Sequence, residues 1–149
     1  MTLVLFLTFS LVLVGCQDKS GLSGLAPCSG TVMMDGQPVV GATIAFSPTG
    51  GGSDMRTATA VTDAQGKFTM GTLSPNDGVT PGDFVVTIKK YEPYGPEPAQ
   101  VKDDDGRLYT PAKPTQNVLP KKYESVANPE LKYTISPKGE KNLEIVLTP

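Results

Sequence analysis

The strongest strand signal in this chain is Asp83-Phe84-Val85-Val86-Thr87-Ile88-Lys89. Phe84, Val86 and Ile88 recur with a period of two, the repeat that places side chains on one face of a β-strand. The intervening positions are mostly polar, as expected of a strand with one face on a core and the other towards solvent. Pro81-Gly82 supplies a tight corner just before it. The stretch therefore predicts a half-buried strand at the centre of a sheet.

The segments on both sides are further short strands separated by turn residues. Asp35-Gly36 and Asp63-Ala64-Gln65-Gly66 are turn signals, and no segment after residue 14 has the 3.6-residue period of a helix. Gly 16 and Pro 14 suit a protein with many turns. We therefore predict an all-β fold, a seven- to eight-strand antiparallel Greek-key β-sandwich, with further strands at residues 29–34, 42–48, 56–62, 67–70, 131–135 and 143–147.

Residues 91–122 interrupt this pattern with six prolines and little apolar periodicity. A connection of this length in a compact domain is usually functional or disordered. Tyr91, Tyr94 and Tyr109 lie within it and allow two interpretations. Exposed, they would offer an apolar body and a polar tip to a glycan or a protein; packed down, they would hold the long loop against the sandwich.

The N-terminus carries an apolar run of twelve residues, Leu3 to Val14, that ends in Leu13-Val14-Gly15-Cys16. A membrane-spanning helix needs roughly twenty apolar residues, whereas this length suits the apolar region of a signal peptide. The last four residues resemble the lipobox of bacterial lipoproteins, which implies lipidation of Cys16. We therefore expect a signal peptide at residues 1–15, a lipidated Cys and flexible linker at 16–27, and one domain at 28–149.

Two details qualify the anchor. Met1-Thr2 supplies no positive residue ahead of the apolar run, although signal peptides usually carry one, so the sequence leaves open whether translation starts upstream. Gln17 follows the Cys where some bacteria use Asp as an inner-membrane retention signal, which weakly favours the outer membrane. Two acyl chains would hold the protein stably at either membrane.

The composition excludes several functions. The chain has no His, which rules out Ser-His-Asp triads, Cys-His dyads and imidazole metal sites. It has no Trp, so the strongest stacking platform for sugars is missing, and a net charge of −2 argues against a nucleic-acid partner. With Cys16 lipidated, Cys28 has no partner for a disulfide and is predicted to be a small buried residue of the first strand.

Asp103-Asp104-Asp105 is a weak metal candidate, through Asp103 and Asp105, because carboxylates suit Ca²⁺. The alternating ligands and distal Glu of a calcium loop are absent, so we interpret the run as a solvated acidic loop. We predict no metal site and no cofactor, and we assign no catalytic residue.

Five stretches resemble the carboxypeptidase regulatory-like domain, a transthyretin-like (prealbumin-like) β-sandwich found in small lipoproteins of Planctomycetes and related bacteria. They are Gly30-Thr31-Val32, Asp35 to Val39, Gly41 to Phe46, Thr62 to Phe68 and Pro81 to Ile88. The resemblance implies the fold and an envelope location. Hydroxyisourate hydrolases of this fold need a catalytic His, and intradiol dioxygenases bind iron with Tyr and His, so the lack of His argues against both.

The expected function is that of a non-enzymatic envelope lipoprotein, held to the membrane by lipid on Cys16. It would act as a structural or protein-interaction module whose contact face is the excursion 91–122. The alternative is a glycan- or peptide-binding module that uses Tyr91, Tyr94 and Tyr109. Outward-pointing tyrosines would support this alternative, whereas tyrosines buried against the sheets would contradict it.

Overall fold

The computed structural model describes residues 24–50 and 55–149. The predicted signal peptide, the lipidated Cys16 and the linker up to residue 23 lie outside the described residues. The described part contains no α-helix and a single 3₁₀ turn, Lys121–Tyr123. It includes no helix long and apolar enough to span a bilayer.

Short β-strands make up the regular structure of the described residues. In chain order they are β1 (Cys28–Met34), β2 (Gln37–Pro38), β3 (Thr43–Pro48), β4 (Ala58–Val61), β5 (Lys67–Thr69), β6 (Gly82–Lys89), β7 (Tyr91–Pro93), β8 (Val101–Lys102), β9 (Leu108–Tyr109), β10 (Thr115–Asn117), β11 (Leu131–Ile135) and β12 (Glu140–Leu147).

Eight of these strands form two four-stranded sheets that share one core. In the first sheet, β1 lies between β12 on one side and both β2 and β5 on the other. The second sheet has the order β11-β6-β3-β4. The predicted all-β sandwich is therefore confirmed, with the predicted strands close to their expected bounds.

The second sheet is centred on β6. Phe84, Val86 and Ile88 are buried in the core as predicted, and the Phe46 ring of β3 lies 5.9 Å from the Phe84 ring. Full burial of one such side chain contributes roughly 1.5–3 kcal/mol. The outward-facing Val85 and Thr87 of this central strand are also buried, at 6% and 7% exposure. The prediction of a half-buried strand therefore underestimates the burial of the middle of β6, where both faces are buried.

The two turn signals form as the sequence predicts. Asp35 and Gly36 both take positive φ, 51° and 75°, as a two-residue hairpin turn between β1 and β2 requires. In the turn before β5, the Asp63 carboxylate accepts hydrogen bonds from the backbone N–H groups of Gln65 (2.8 Å) and Lys67 (2.9 Å). Side-chain acceptors of this kind explain why Asp opens such turns.

One pairing of the main sheets departs from the predicted antiparallel arrangement. β1 and β12 run parallel, from Cys28 opposite Glu140 to Met34 opposite Leu147. A hairpin would force antiparallel pairing, but these strands are the first and last of the described domain and no hairpin joins them. Local sequence signals carry no information about the direction of such a pair.

The domain also begins earlier than predicted. Ala26 is buried and exchanges two backbone hydrogen bonds with Val79, at 2.8 and 2.9 Å. The Pro27 carbonyl accepts a further one from the Glu140 N–H group at 2.9 Å. The predicted linker 16–27 therefore includes two residues that belong to the sandwich.

Gly30 of β1 lies where the neighbouring strands β5 and β12 of the first sheet approach it closely. A Cβ atom at this position would overlap the Leu143 carbonyl and would lie 2.8 Å from a Phe68 ring carbon. The absence of a side chain lets the Phe68 ring cover β1 at this point. The glycine of the Gly30-Thr31-Val32 stretch thus has a packing role.

We expect Gly30→Ala to lower the free energy of unfolding by about 2 kcal/mol or more, because overpacking a core costs about 1–3 kcal/mol. Urea unfolding followed by circular dichroism measures the change. The matched control is Gly50→Ala, whose new Cβ would meet only the Met55 sulfur at 3.7 Å. Equal stabilities for the two variants would contradict the assigned role of Gly30.

Candidate functional site

The most unusual part of the described surface is the segment 91–118, called the arm below. It pairs with itself: β7 pairs antiparallel with β10, and β8 with β9. The predicted loop 91–122 is therefore more ordered than expected. Its strands have only two or three residues, too few to produce a visible period of two in a proline-rich sequence.

The arm exposes its large side chains instead of burying them. Tyr91, Tyr94 and Tyr109 are 55%, 47% and 50% exposed, and Leu108 and Val101 are also exposed. The interpretation that these tyrosines hold the loop against the sandwich is therefore wrong. β9 places Tyr109 directly opposite Val101, so their side chains share one face of the hairpin.

Polar groups fix the base of the arm where sequence reasoning saw no signal. The side-chain oxygen of Asn117 accepts the Lys90 N–H group at 2.8 Å, and its nitrogen donates to the Glu124 carboxylate at 2.5 Å. The Val118 N–H group donates to the Lys90 carbonyl at 2.9 Å. These hydrogen bonds thus join β7 and β10 where the arm leaves the sandwich. Only the antiparallel register of β7 and β10 brings Asn117 to this position.

Two ion pairs also belong to this region, Lys90 with Glu92 (2.8 Å) and Lys113 with Glu97 (2.6 Å). Both are exposed to solvent, where a pair contributes at most about 1 kcal/mol. They therefore contribute little to the stability of the arm.

The acidic run has a structural role in the hairpin between β8 and β9. Asp103 accepts hydrogen bonds from the backbone N–H groups of Asp105 (3.1 Å) and Arg107 (2.7 Å). This is the arrangement of the Asp63 turn, with Gly106 at positive φ in place of Gly66. The described residues contain no cluster of three or more acidic, His or Cys side chains suited to a metal ion. The weak metal candidates Asp103 and Asp105 thus belong to a turn.

The arm is attached at the end of the sandwich opposite to the point where the chain enters. Ala26 and Pro27 lie beside Val79 and Glu140, near the first residues of β1, β6 and β12. The arm begins directly after the last residue of β6. An eight-residue strand spans about 26 Å, so this distance separates the entry point from the base of the arm.

Cys28 is buried in β1, as predicted, and it is a free thiol. Burial and, as the smaller cause, the nearby Glu140 carboxylate together raise the pKa of the Cys28 thiol to about 11. Since the thiolate is the nucleophile, this thiol is unreactive at neutral pH.

A loop near the entry end, residues 71–78, is closed by Asp77. Its carboxylate accepts backbone N–H groups of Thr72 (2.6 Å), Ser74 (2.8 Å) and Leu73 (3.0 Å). Partial burial acts to raise the pKa of Asp77, but these three donors outweigh it and hold the pKa below its usual value of 3.8. The loop lines a cleft of about 340 Å³ together with Thr59 and Thr69.

No family model and no curated protein matches this chain. A solved structure that is similar to it is the dioxygenase domain of a dioxygenase–carbohydrate-binding protein fusion from the cellulolytic bacterium Streptomyces sp. SirexAA-E. The identity is 22%, the match covers 87% of this chain and 83% of that chain, and the TM-score is 0.36. At these values the likeness carries no argument about activity.

We expect Asp77→Ala to lower stability at pH 7 by about 1–2 kcal/mol, the range for removing a side chain that caps backbone N–H groups. Because the pKa of Asp77 is lower in the folded state than in the unfolded state, ionised Asp77 stabilises the fold at pH values above its unfolded-state pKa, roughly 3.9. It is lost as the pH falls through the folded-state pKa. The difference between wild type and variant should therefore shrink below about pH 4.

Thermal unfolding followed by circular dichroism from pH 7 to pH 3 measures this difference. The matched control is Asp104→Ala, since no described hydrogen bond involves the Asp104 side chain. A deficit in Asp77→Ala that stays constant down to pH 3 would show that the ionised carboxylate is not what closes the loop.

Proposed function

We propose that this protein is a lipid-anchored, non-enzymatic module of the bacterial cell envelope that presents the arm to a protein partner. The observation that carries the proposal is the position of the arm at the end opposite to chain entry. With lipid on Cys16, the entry end faces the bilayer and the arm faces away from it. The lack of His supports a non-enzymatic role.

The chemistry of the arm favours a protein partner. Interfaces are enriched in Tyr, whose amphipathic ring gives contact area with little loss of conformational entropy. Here Tyr109, Val101 and Leu108 lie exposed on one hairpin, with Tyr91 and Tyr94 on the adjoining part of the arm. Pro residues within the arm reduce the entropy that is lost when such a segment is ordered.

The exposure of the three tyrosines also favours a second candidate, a glycan- or peptide-binding module that uses Tyr91, Tyr94 and Tyr109. Sugar rings pack their C–H faces on aromatic side chains, and exposed tyrosines would allow this. The likeness to the carboxypeptidase regulatory-like domain and the weak preference for the outer membrane stay predictions under either function.

The anchor is tested by Cys16→Ser. We expect the wild-type protein to incorporate a labelled fatty acid in a bacterial host and to sediment with membranes. Cys16→Ser should lose both properties, because a single thiol carries the lipid. Cys28→Ser serves as the control, since the Cys28 thiol is buried in β1 and should not affect acylation. A Cys16→Ser protein that still sediments with membranes would contradict the anchor.

The arm is tested by photo-crosslinking in living cells, with a photoreactive phenylalanine placed at Tyr94 or Tyr109. We expect a discrete protein adduct at these positions and none at Val61, a residue on β4 that is more exposed than either tyrosine. A Tyr91, Tyr94 and Tyr109→Ser triple variant should bind its partner at least about tenfold more weakly, since a few aromatic residues carry most interface energy. Adducts of equal yield at Val61 would contradict a specific interface on the arm. If the wild-type protein binds a glycan array and the triple variant does not, the second candidate is favoured.

A further inference from the structure

The outer face of the first sheet carries a cleft of about 410 Å³ that none of the functions above involves. Six of its lining residues are polar and come from three neighbouring strands. Core side chains such as Val32, Phe68 and Ile145 alternate with them along the strands, which places the polar set on the opposite face. This set is Ser29, Thr31, Lys67, Thr69, Asn142 and Glu144.

The pairing register orders the polar set into rows. Thr31 lies opposite Lys67 on one side and opposite Glu144 on the other. Neighbouring strands are about 4.8 Å apart, so the Lys67 and Glu144 backbones are about 10 Å apart with the Thr31 hydroxyl between them. In the next row, Ser29 lies opposite Thr69.

A β-bulge shapes one wall of the cleft. Between Cys28 and Gly30 the register with β12 shifts from Glu140 to Leu143, so that β12 has one more residue than β1. Asn142 lies in this bulge at a φ of 62° and lines the cleft. Bulges redirect side chains and are frequent beside functional sites.

Within residues 24–50 and 55–149, the six polar side chains make no hydrogen bond or ion pair with another protein group. This differs from the turns, where the carboxylates of Asp63, Asp77 and Asp103 each accept two or more backbone N–H groups. The polar groups of the cleft are therefore available to a ligand.

The kind of ligand follows from the donors and acceptors. Lys67 only donates and Glu144 only accepts, whereas the three hydroxyl groups and the Asn142 amide do both. A phosphate would be repelled by Glu144, and the cleft has a single carboxylate where cation sites need several oxygen ligands. A neutral polyhydroxylated chain, whose hydroxyl groups each donate and accept, matches this set.

The polar cleft, called the groove below, adjoins a second cleft. Thr69 lines both the groove and the cleft of about 340 Å³ formed by the loop 71–78, so the two meet at this residue. Each of them falls within the roughly 300–1,000 Å³ of small-ligand sites. Two adjoining clefts suit an extended oligosaccharide better than a single sugar.

We propose that the groove of Ser29, Thr31, Lys67, Thr69, Asn142 and Glu144 binds a neutral oligosaccharide chain. The site is distinct from the arm and lies in the half of the sandwich nearer to chain entry. Phe68 also lines the cleft but is only 3% exposed, so binding rests on hydrogen bonds. Its affinity is therefore modest and depends little on salt.

The test uses the full chain in detergent micelles, titrated in a calorimeter with cellohexaose and with the hexamer of N-acetylglucosamine. We expect at least one of them to bind with a Kd of about 1 mM or tighter. Thr31→Val and Glu144→Ala should each weaken binding by about threefold to tenfold, the effect of losing one hydrogen bond. Raising the salt concentration tenfold should leave the affinity of the wild type unchanged, because the ligand carries no charge.

Two controls separate the groove from other causes. Thr43→Val makes the same exchange at an exposed position of β3 on the other sheet and should bind as the wild type does. The Tyr91, Tyr94 and Tyr109→Ser triple variant should also keep full affinity. Retained binding in both controls, with a loss in Thr31→Val, supports the groove whether or not the arm has a protein partner.

Three results would overturn the proposal. The first is that neither hexasaccharide binds the wild type up to about 10 mM. The second is that Thr31→Val binds as tightly as the wild type, or that the tyrosine variant loses binding. Loss of binding in the tyrosine variant would place the sugar on the arm. The third is salt-sensitive binding of tetra-alanine alone, which would make the groove a site for zwitterionic peptides that bridge Lys67 and Glu144.

Discussion

The structure depends on the burial of β6 on both of its faces. Phe84, Val86 and Ile88 pack into the shared core, and Val85 and Thr87 on the other face are buried as well. A shift in register by one residue would replace the three core side chains with those of the other face, which include Thr87 and Asp83. The chain enters the sandwich near the first residues of β6, and the arm begins after the last one, so the position of β6 determines both places.

Sequence patterns predicted the parts of the fold that short-range chemistry determines. Alternation located β6, and Asp followed three residues later by Gly located the turn at Asp63. The same spacing recurs at Asp103 and Gly106, and both turns have the same hydrogen bonds. Repetition of one motif in two unrelated turns shows that four or five residues suffice to specify it.

Features that depend on distant pairing were missed. The parallel direction of β1 and β12, the inclusion of Ala26 in the sandwich and the role of Asn117 all arise from contacts between residues far apart in sequence. The candidate groove belongs to the same class, because Thr31, Lys67 and Glu144 come from three strands and carry no common motif. The exposure of the arm tyrosines was weighed from the sequence as one of two alternatives, and only the paired ladder of β7 and β10 decided between them.

The two candidate surfaces lie at different heights above a membrane if lipid on Cys16 is the anchor. Ten peptide units join Cys16 to Ala26, and a fully extended chain of that length reaches at most about 35 Å. The groove lies close to the entry end, whereas the base of the arm lies about 26 Å further on, the length of β6. On the proposed anchoring, the tether determines how far the sandwich reaches from the bilayer, because its extended length exceeds this separation. β6 then holds the groove and the arm apart, so that a partner of one surface leaves the other surface accessible.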